Sequence, residues 1–228
     1  GMIYDGTGSK PYTGDIGIKN DKIVKISESI NGEAREEINA SGFAVSPGFI
    51  NMLSWATTSL LKDGRSLSDI KQGVTLEVFG EGWSMGPLNE KMKEAEQEEA
   101  QGFQIDWNTL GQYLESLEDR GVSTNVASFV GATTLRIHEI GFEDREPTDK
   151  EMTKMKELVR QAMKEGAMGI GSSLIYAPAF YSSTEELIEI CKVASEYGGM
   201  YISHMRSESN QFLEALDELI EISEKANI

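Results

Sequence analysis

The spacing of apolar residues changes at Gly42. Before it, short runs alternate apolar and polar positions, as half-buried strands do, at Asp15 to Lys19, Lys22 to Ser27 and Glu36 to Asn39. Gly14, Asn20-Asp21 and Asn31-Gly32 supply the turns between them. After Gly42 an apolar strand, a loop and a helix repeat about five times, with strands expected at Phe43 to Leu53, Val74 to Phe79, Val122 to Val130, Ala167 to Leu174 and Met200 to His204.

The intervening helices carry their own start and stop chemistry. Thr148 and Glu151 form a T-x-x-E capping box ahead of Met152, Met155, Leu158, Val159, Ala162 and Met163, and Gly166 stands where a left-handed cap belongs. Ser183 and Glu186 repeat the device before Leu187, Ile188, Ile190, Cys191 and Ala194, and Gly198-Gly199 ends that helix. A last helix presents Phe212, Leu213, Leu216, Leu219 and Ile220 on one face. The methionines at 152, 155 and 163 fall on a core stripe, and the acidic run Glu94 to Glu99 reads as a solvated helix face.

Strands alternating with helices of this length pair in parallel through right-handed crossovers. The one Gly-rich stretch, Gly80-Glu81-Gly82-Trp83-Ser84-Met85-Gly86, lacks G-x-G-x-x-G spacing and puts a carboxylate between its first two glycines, so a doubly wound nucleotide fold is disfavoured. A TIM-type barrel, with its chemistry on the loops after the strands, fits better. The chain opens at Gly1 on a strand end and closes at Ile228 after a helix, which reads as part of a longer protein.

Composition narrows the function. The 228 residues carry a formal charge of -17, which disfavours nucleic acid and anionic membrane surfaces as partners. No apolar run approaches the roughly 20 residues of a membrane span. A lone Cys191 excludes an intramolecular disulfide, and its apolar neighbours make it a packed thiol rather than a nucleophile.

The polar residues at strand ends are the candidates for chemistry. In Ser203-His204-Met205-Arg206-Ser207-Glu208, His204 and Arg206 share a side at the end of a strand, and an imidazole there suits zinc. The strand Val74 to Phe79, continued to Glu81, puts Thr75, Glu77, Phe79 and Glu81 on one face if no bulge intervenes. Buried carboxylates need a partner. Glu81 is the metal-ligand candidate, and Glu77, deeper in the strand, is expected to make an ion pair. His138, farther from a strand end, reads as structural.

Four segments carry a family likeness: Val45-Ser46-Pro47-Gly48-Phe49-Ile50, Gln72-Gly73-Val74-Thr75, Gly171-Ser172-Ser173-Leu174-Ile175-Tyr176-Ala177-Pro178 and Ser203-His204-Met205-Arg206-Ser207-Glu208. Together they resemble the N-acyl-D-amino-acid deacylase (D-aminoacylase) branch of the amidohydrolase superfamily. The resemblance implies an α/β fold in which residues 1–45 form part of a small β-sandwich and residues 46–228 the first half of a TIM-type (β/α) barrel. It implies zinc-assisted hydrolysis of the amide bond of a small N-acyl-D-amino acid. His204 matches a metal ligand of the family, and Arg206, Tyr176 and Ser172 fall where the substrate would be held.

The chain also departs from the family pattern. Where that pattern has Asp-x-His-x-His, the chain reads Asn51, Leu53 and Trp55, and the cysteine expected after the second strand is replaced by the Glu81 loop. One zinc ion is therefore expected, held by His204 and Glu81, with the remaining ligands and the general acid/base outside this chain, which alone is expected to be inactive. Two rivals stand beside this reading. One is a non-catalytic binding protein in which Leu53 and Trp55 fill the old metal pocket. The other is a cyclic-amide hydrolase, against which the lysine-free stretch Gly171 to Tyr176 argues.

Overall fold

The computed structural model describes residues 1–100 and 102–228. It divides into two units, Gly1–Phe49 and Ile50–Ile228.

In the first unit β1 (Met2–Ile3) pairs antiparallel with β2 (Tyr12–Thr13) and parallel with β5 (Ala44–Val45), while β3 (Asp15–Lys19) and β4 (Lys22–Ser27) form an antiparallel hairpin. Asn20 turns that hairpin in the left-handed region at φ +58°, which asparagine tolerates better than most residues. The strand expected at Glu36 to Asn39 is not formed, and those residues are irregular and exposed. Their alternation had no facing strand to pair with.

The second unit is an α/β assembly. Its elements are β6 (Phe49–Asn51, crossing the boundary), α1 (Ser59–Lys62), α2 (Leu67–Ile70), β7 (Val74–Phe79), α3 (Glu90–Glu99), α4 (Leu110–Arg120), β8 (Asn125–Ser128), β9 (Val130–Gly131), α5 (Ala132–Glu139), α6 (Asp149–Lys164), β10 (Gly169–Ser173), a 3-10 turn (Ala179–Tyr181), α7 (Thr184–Ser195), β11 (Met200–His204) and α8 (Phe212–Ala226). The strand order is β6-β7-β8 and β9-β10-β11, with β8 and β9 two parts of one run interrupted at Phe129. Pairing is parallel for β7 with β8, β9 with β10, and β10 with β11. The run expected at Phe43 to Leu53 is split into β5 and β6 around Ser46-Pro47-Gly48, because proline has no amide to give a ladder.

Gly80 explains the break at Phe129. Its φ is +96°, and a Cβ there would lie 2.1 Å from the Phe129 carbonyl oxygen, so only glycine lets the two backbones meet. Gly82 is pressed on Ser173 in the same way, where a Cβ would lie 2.5 Å from the Ser173 hydroxyl. The Gly-rich stretch thus serves close packing of strand ends, and it interrupts the simple alternation expected beyond Phe79.

Helix capping follows the sequence in most places. Thr148 and Glu151 form the reciprocal box of α6, and Thr109 with Gln112 does the same for α4. At α7 only half of the expected box exists: Ser183 accepts from the Glu186 amide, but the Glu186 carboxylate turns inward to Arg136 (2.6 Å) and Ser182 (3.0 Å). A buried guanidinium offers it a stronger, charge-assisted partner than a backbone amide does. Met155 is fully buried with Val159 and Leu187 in the helix-side core, and Met152 and Met163 pack on its margin. On α8 the buried residues are Ala215, Ile222 and Ala226, while Leu213 is 69% exposed. Small side chains let α8 approach α7, and of the expected face Phe212, Leu213 and Ile220 are exposed while Leu216 and Leu219 are half-buried. The acidic run lies on α3, whose Glu94 and Glu98 are exposed, and the side chain of Glu99 lies outside the described residues. Among the described residues no helix is long and apolar enough to cross a membrane.

Candidate functional site

The ends of β7, β10 and β11 converge. His204 closes β11, and its register partner on β10 is Ser173. Ser173 donates through its hydroxyl to the Glu81 carbonyl at 2.9 Å, which ties the loop after β7 to β10. Glu81 itself reaches across, its Oε2 3.7 Å from His204 Nδ1. On the other side of the ring, Glu208 Oε1 is 3.2 Å from His204 Nε2. Tyr176, from the turn after β10, stands edge-on to the imidazole with ring centroids 5.4 Å apart.

Burial pushes the Glu81 carboxyl above its ordinary range, and the neighbouring His204 pulls in the opposite direction. A carboxylate held in so little water favours a cation beside it. An imidazole nitrogen and a carboxylate oxygen are both ordinary zinc donors, and two ligands of one tetrahedral zinc lie about 3.4 Å apart at the usual bond lengths. The pair therefore fits part of a zinc site. Among the described residues no group of three or more His, Cys, Asp or Glu side chains is arranged to hold a metal ion.

His204, Glu81 and Tyr176 are thus brought together, and two other expected site residues are not. Ser172 is buried on the opposite face of β10, because consecutive strand residues alternate and Ser173 is the one level with His204. Its hydroxyl is bonded with Tyr201 (2.7 Å) and Ser203 (2.9 Å). Arg206 pairs with Glu218 and donates to the carbonyls of Phe180 and Ser182. Ser173 and Glu208 were not singled out in the sequence. Glu208 stands in the quoted Ser-His-Met-Arg-Ser-Glu segment, four residues past His204, and Ser173 becomes visible only once the strand register is known.

The remaining candidates take structural roles. Glu77 is fully buried, yet it makes no ion pair among the described residues. It accepts instead from the hydroxyls of Ser54 (2.6 Å), Ser66 (2.6 Å) and Thr124 (3.1 Å). Three short donors from three segments satisfy the carboxylate where no basic side chain reaches. His138 lies on α5 with Nδ1 2.7 Å from Glu139. Cys191 is buried and its thiol is pushed well above the ordinary range by desolvation, so it is no nucleophile. Leu53 and Trp55 are 47% and 59% exposed in this chain. Asn51 bonds to Asp69 at 3.1 Å.

No family model matches the chain. A D-aminoacylase of Alcaligenes xylosoxydans xylosoxydans is 32% identical to it over 230 aligned residues, covering 100% of this chain and 48% of that protein. The chain is a homologue of the D-aminoacylases. It spans about half the length of the curated relatives it matches. A solved D-aminoacylase, described for its binuclear metal centre with one-metal activation and second-metal attenuation, superposes with a TM-score of 0.87 at 32% identity, over 100% of this chain and 48% of the other. The N-acyl-D-glutamate deacylase of Bordetella bronchiseptica, solved with zinc and a phosphonate mimic of the tetrahedral intermediate, superposes at 0.88 with 27% identity and the same coverage. The likeness to D-aminoacylases covers the whole of this chain and is consistent with its α/β fold.

Proposed function

We propose that the full-length protein hydrolyses the amide bond of N-acyl-D-amino acids, releasing a D-amino acid and a carboxylate. The observation that carries this reading is the meeting of His204, at the end of β11, and Glu81, in the loop after β7, in a chain 32% identical along its whole length to a D-aminoacylase. In the finer architecture, residues 46–228 are the first half of a TIM-type barrel and residues 1–45 part of a small β-sandwich. The parallel strand order and the exposed apolar residues Ile18, Ile23 and Val24 of the β3–β4 hairpin support that division.

His204 and Glu81 would hold one zinc ion, with further ligands from outside this chain. Zinc bound there lowers the pKa of its water towards neutrality and polarises a carbonyl. Glu81 brings a negative charge that favours the cation, and the Ser173 bond to its carbonyl fixes the loop that carries it. Glu208 lies on the far nitrogen of the imidazole and orients the ring, as carboxylates beside metal-bound histidines do. Tyr176, 60% exposed beside the imidazole, is available to contact the bound substrate.

Metal analysis and hydrolysis of N-acyl-D-amino acids by the full-length protein test the reading. Zinc close to one per chain with D-selective release of amino acid supports it. A metal-free, inactive protein that still binds acylated amino acids overturns it in favour of a binding protein.

A further inference from the structure

Arg206 stands two residues beyond His204, and its guanidinium is already engaged. Nε donates to Glu218 Oε2 at 2.9 Å and Nη2 to Glu218 Oε1 at 2.8 Å, a two-point pair. Nη2 also donates to the Ser182 carbonyl at 2.9 Å and Nη1 to the Phe180 carbonyl at 2.7 Å. A guanidinium has five N–H groups, and four of these face protein acceptors. Glu218, on α8, accepts in addition from the Thr184 hydroxyl at the start of α7.

These bonds close a ring through the candidate site. The Phe180 amide donates to the Tyr176 carbonyl at 2.8 Å, the Phe180 carbonyl is held by Arg206, Arg206 follows His204 in the chain, and His204 meets the edge of Tyr176. The Arg206 guanidinium also lies over the Phe180 ring, 5.7 Å from its centroid. A lysine has no planar fork with which to hold the carboxylate and both carbonyls at once.

We infer that Arg206, paired with Glu218, is a positioning residue that sets where Tyr176 stands against His204, and is not a ligand for the substrate carboxylate. The inference rests on the amide hydrolysis proposed above. A displacement of about 1 Å in such a contact costs up to about a hundredfold in rate.

In the full-length, zinc-loaded protein, Arg206→Lys and Glu218→Gln are both expected to lower kcat by about tenfold to a hundredfold while KM changes less than about threefold. The metal-free protein gives a second readout. Its His204 imidazole NMR signals, assigned by their loss in His204→Ala, should shift in both variants, with the His138 signals unmoved. An Arg206→Lys that raises KM about tenfold or more beside a Glu218→Gln with unchanged kinetics makes Arg206 a substrate ligand and overturns the inference. Unmoved His204 signals in both variants overturn it whatever the kinetics. A wild type that hydrolyses no N-acyl-D-amino acid refutes the proposed reaction, and the imidazole signals still decide the positioning role.

Discussion

His204 Nδ1 lies 3.7 Å from Glu81 Oε2, a meeting of two strand ends that no local stretch of the chain encodes. β11 and β7 are not neighbours in the strand order, since β10 and the run formed by β8 and β9 stand between them. Only the inward approach of the strand ends brings the two side chains together. If the pair binds zinc, His204→Ala and Glu81→Ala should each lower the bound zinc by tenfold or more at fixed free metal, an effect of about 1.4 kcal/mol or greater. Equilibrium dialysis with metal analysis measures it, and full zinc occupancy in both variants rules the pair out as ligands.

Gly80 should not tolerate a side chain. Gly80→Ala meets the Phe129 carbonyl at 2.1 Å and forces an L residue to φ +96°, and is expected to cost about 3 kcal/mol or more. Urea unfolding checks this, and a loss under about 1 kcal/mol would mean that the two backbones separate easily.

Glu77 organises three segments through hydroxyl donors, one of them from Ser66, which holds a left-handed φ of +44°. Glu77→Leu leaves the hydroxyls of Ser54, Ser66 and Thr124 without their acceptor, and should cost more than Glu77→Gln, whose expected penalty is about 1–3 kcal/mol. Chemical denaturation of the two variants side by side gives the order.

The capping box of α6 makes stability depend on acid. Arg145, with help from the Thr148 amide and hydroxyl, holds the Glu151 carboxyl well below its ordinary value of 4.5. A carboxyl whose pKa is lowered by folding contributes stability above its unfolded pKa, and the contribution is lost as pH falls below that value. Thr148→Ala should cost about 1 kcal/mol at neutral pH. Glu151→Gln should flatten part of the loss of stability expected below pH 4.5. Thermal melts across that range test both, and an unchanged acid slope in Glu151→Gln contradicts the assignment.

Much of the fold was legible because its signals are local. The strands Val74–Phe79 and Met200–His204 and the box at Thr148 and Glu151 each follow from residues within a few positions of one another. Glu81 could be nominated because a carboxylate on the face of an apolar strand needs a partner, and His204 because the Ser-His-Met-Arg segment resembles that of the family. Ser172 could not be judged in this way. Either of two adjacent serines could have faced the imidazole, and the register of β10 against β11 selected Ser173.

By itself the sequence determined the alternation of strands and helices, the caps, the absence of a disulfide within this chain and the family likeness, all of which depend on residue type and short-range spacing. The tertiary structure alone decided which carboxylates became partners of which groups. It gave Glu77 hydroxyls in place of a cation, drew Glu186 to Arg136 and bound Arg206 to Glu218. Partner choice depends on which groups the packed backbone brings within hydrogen-bond range, and that distance is set by the whole chain and not by any one segment of it.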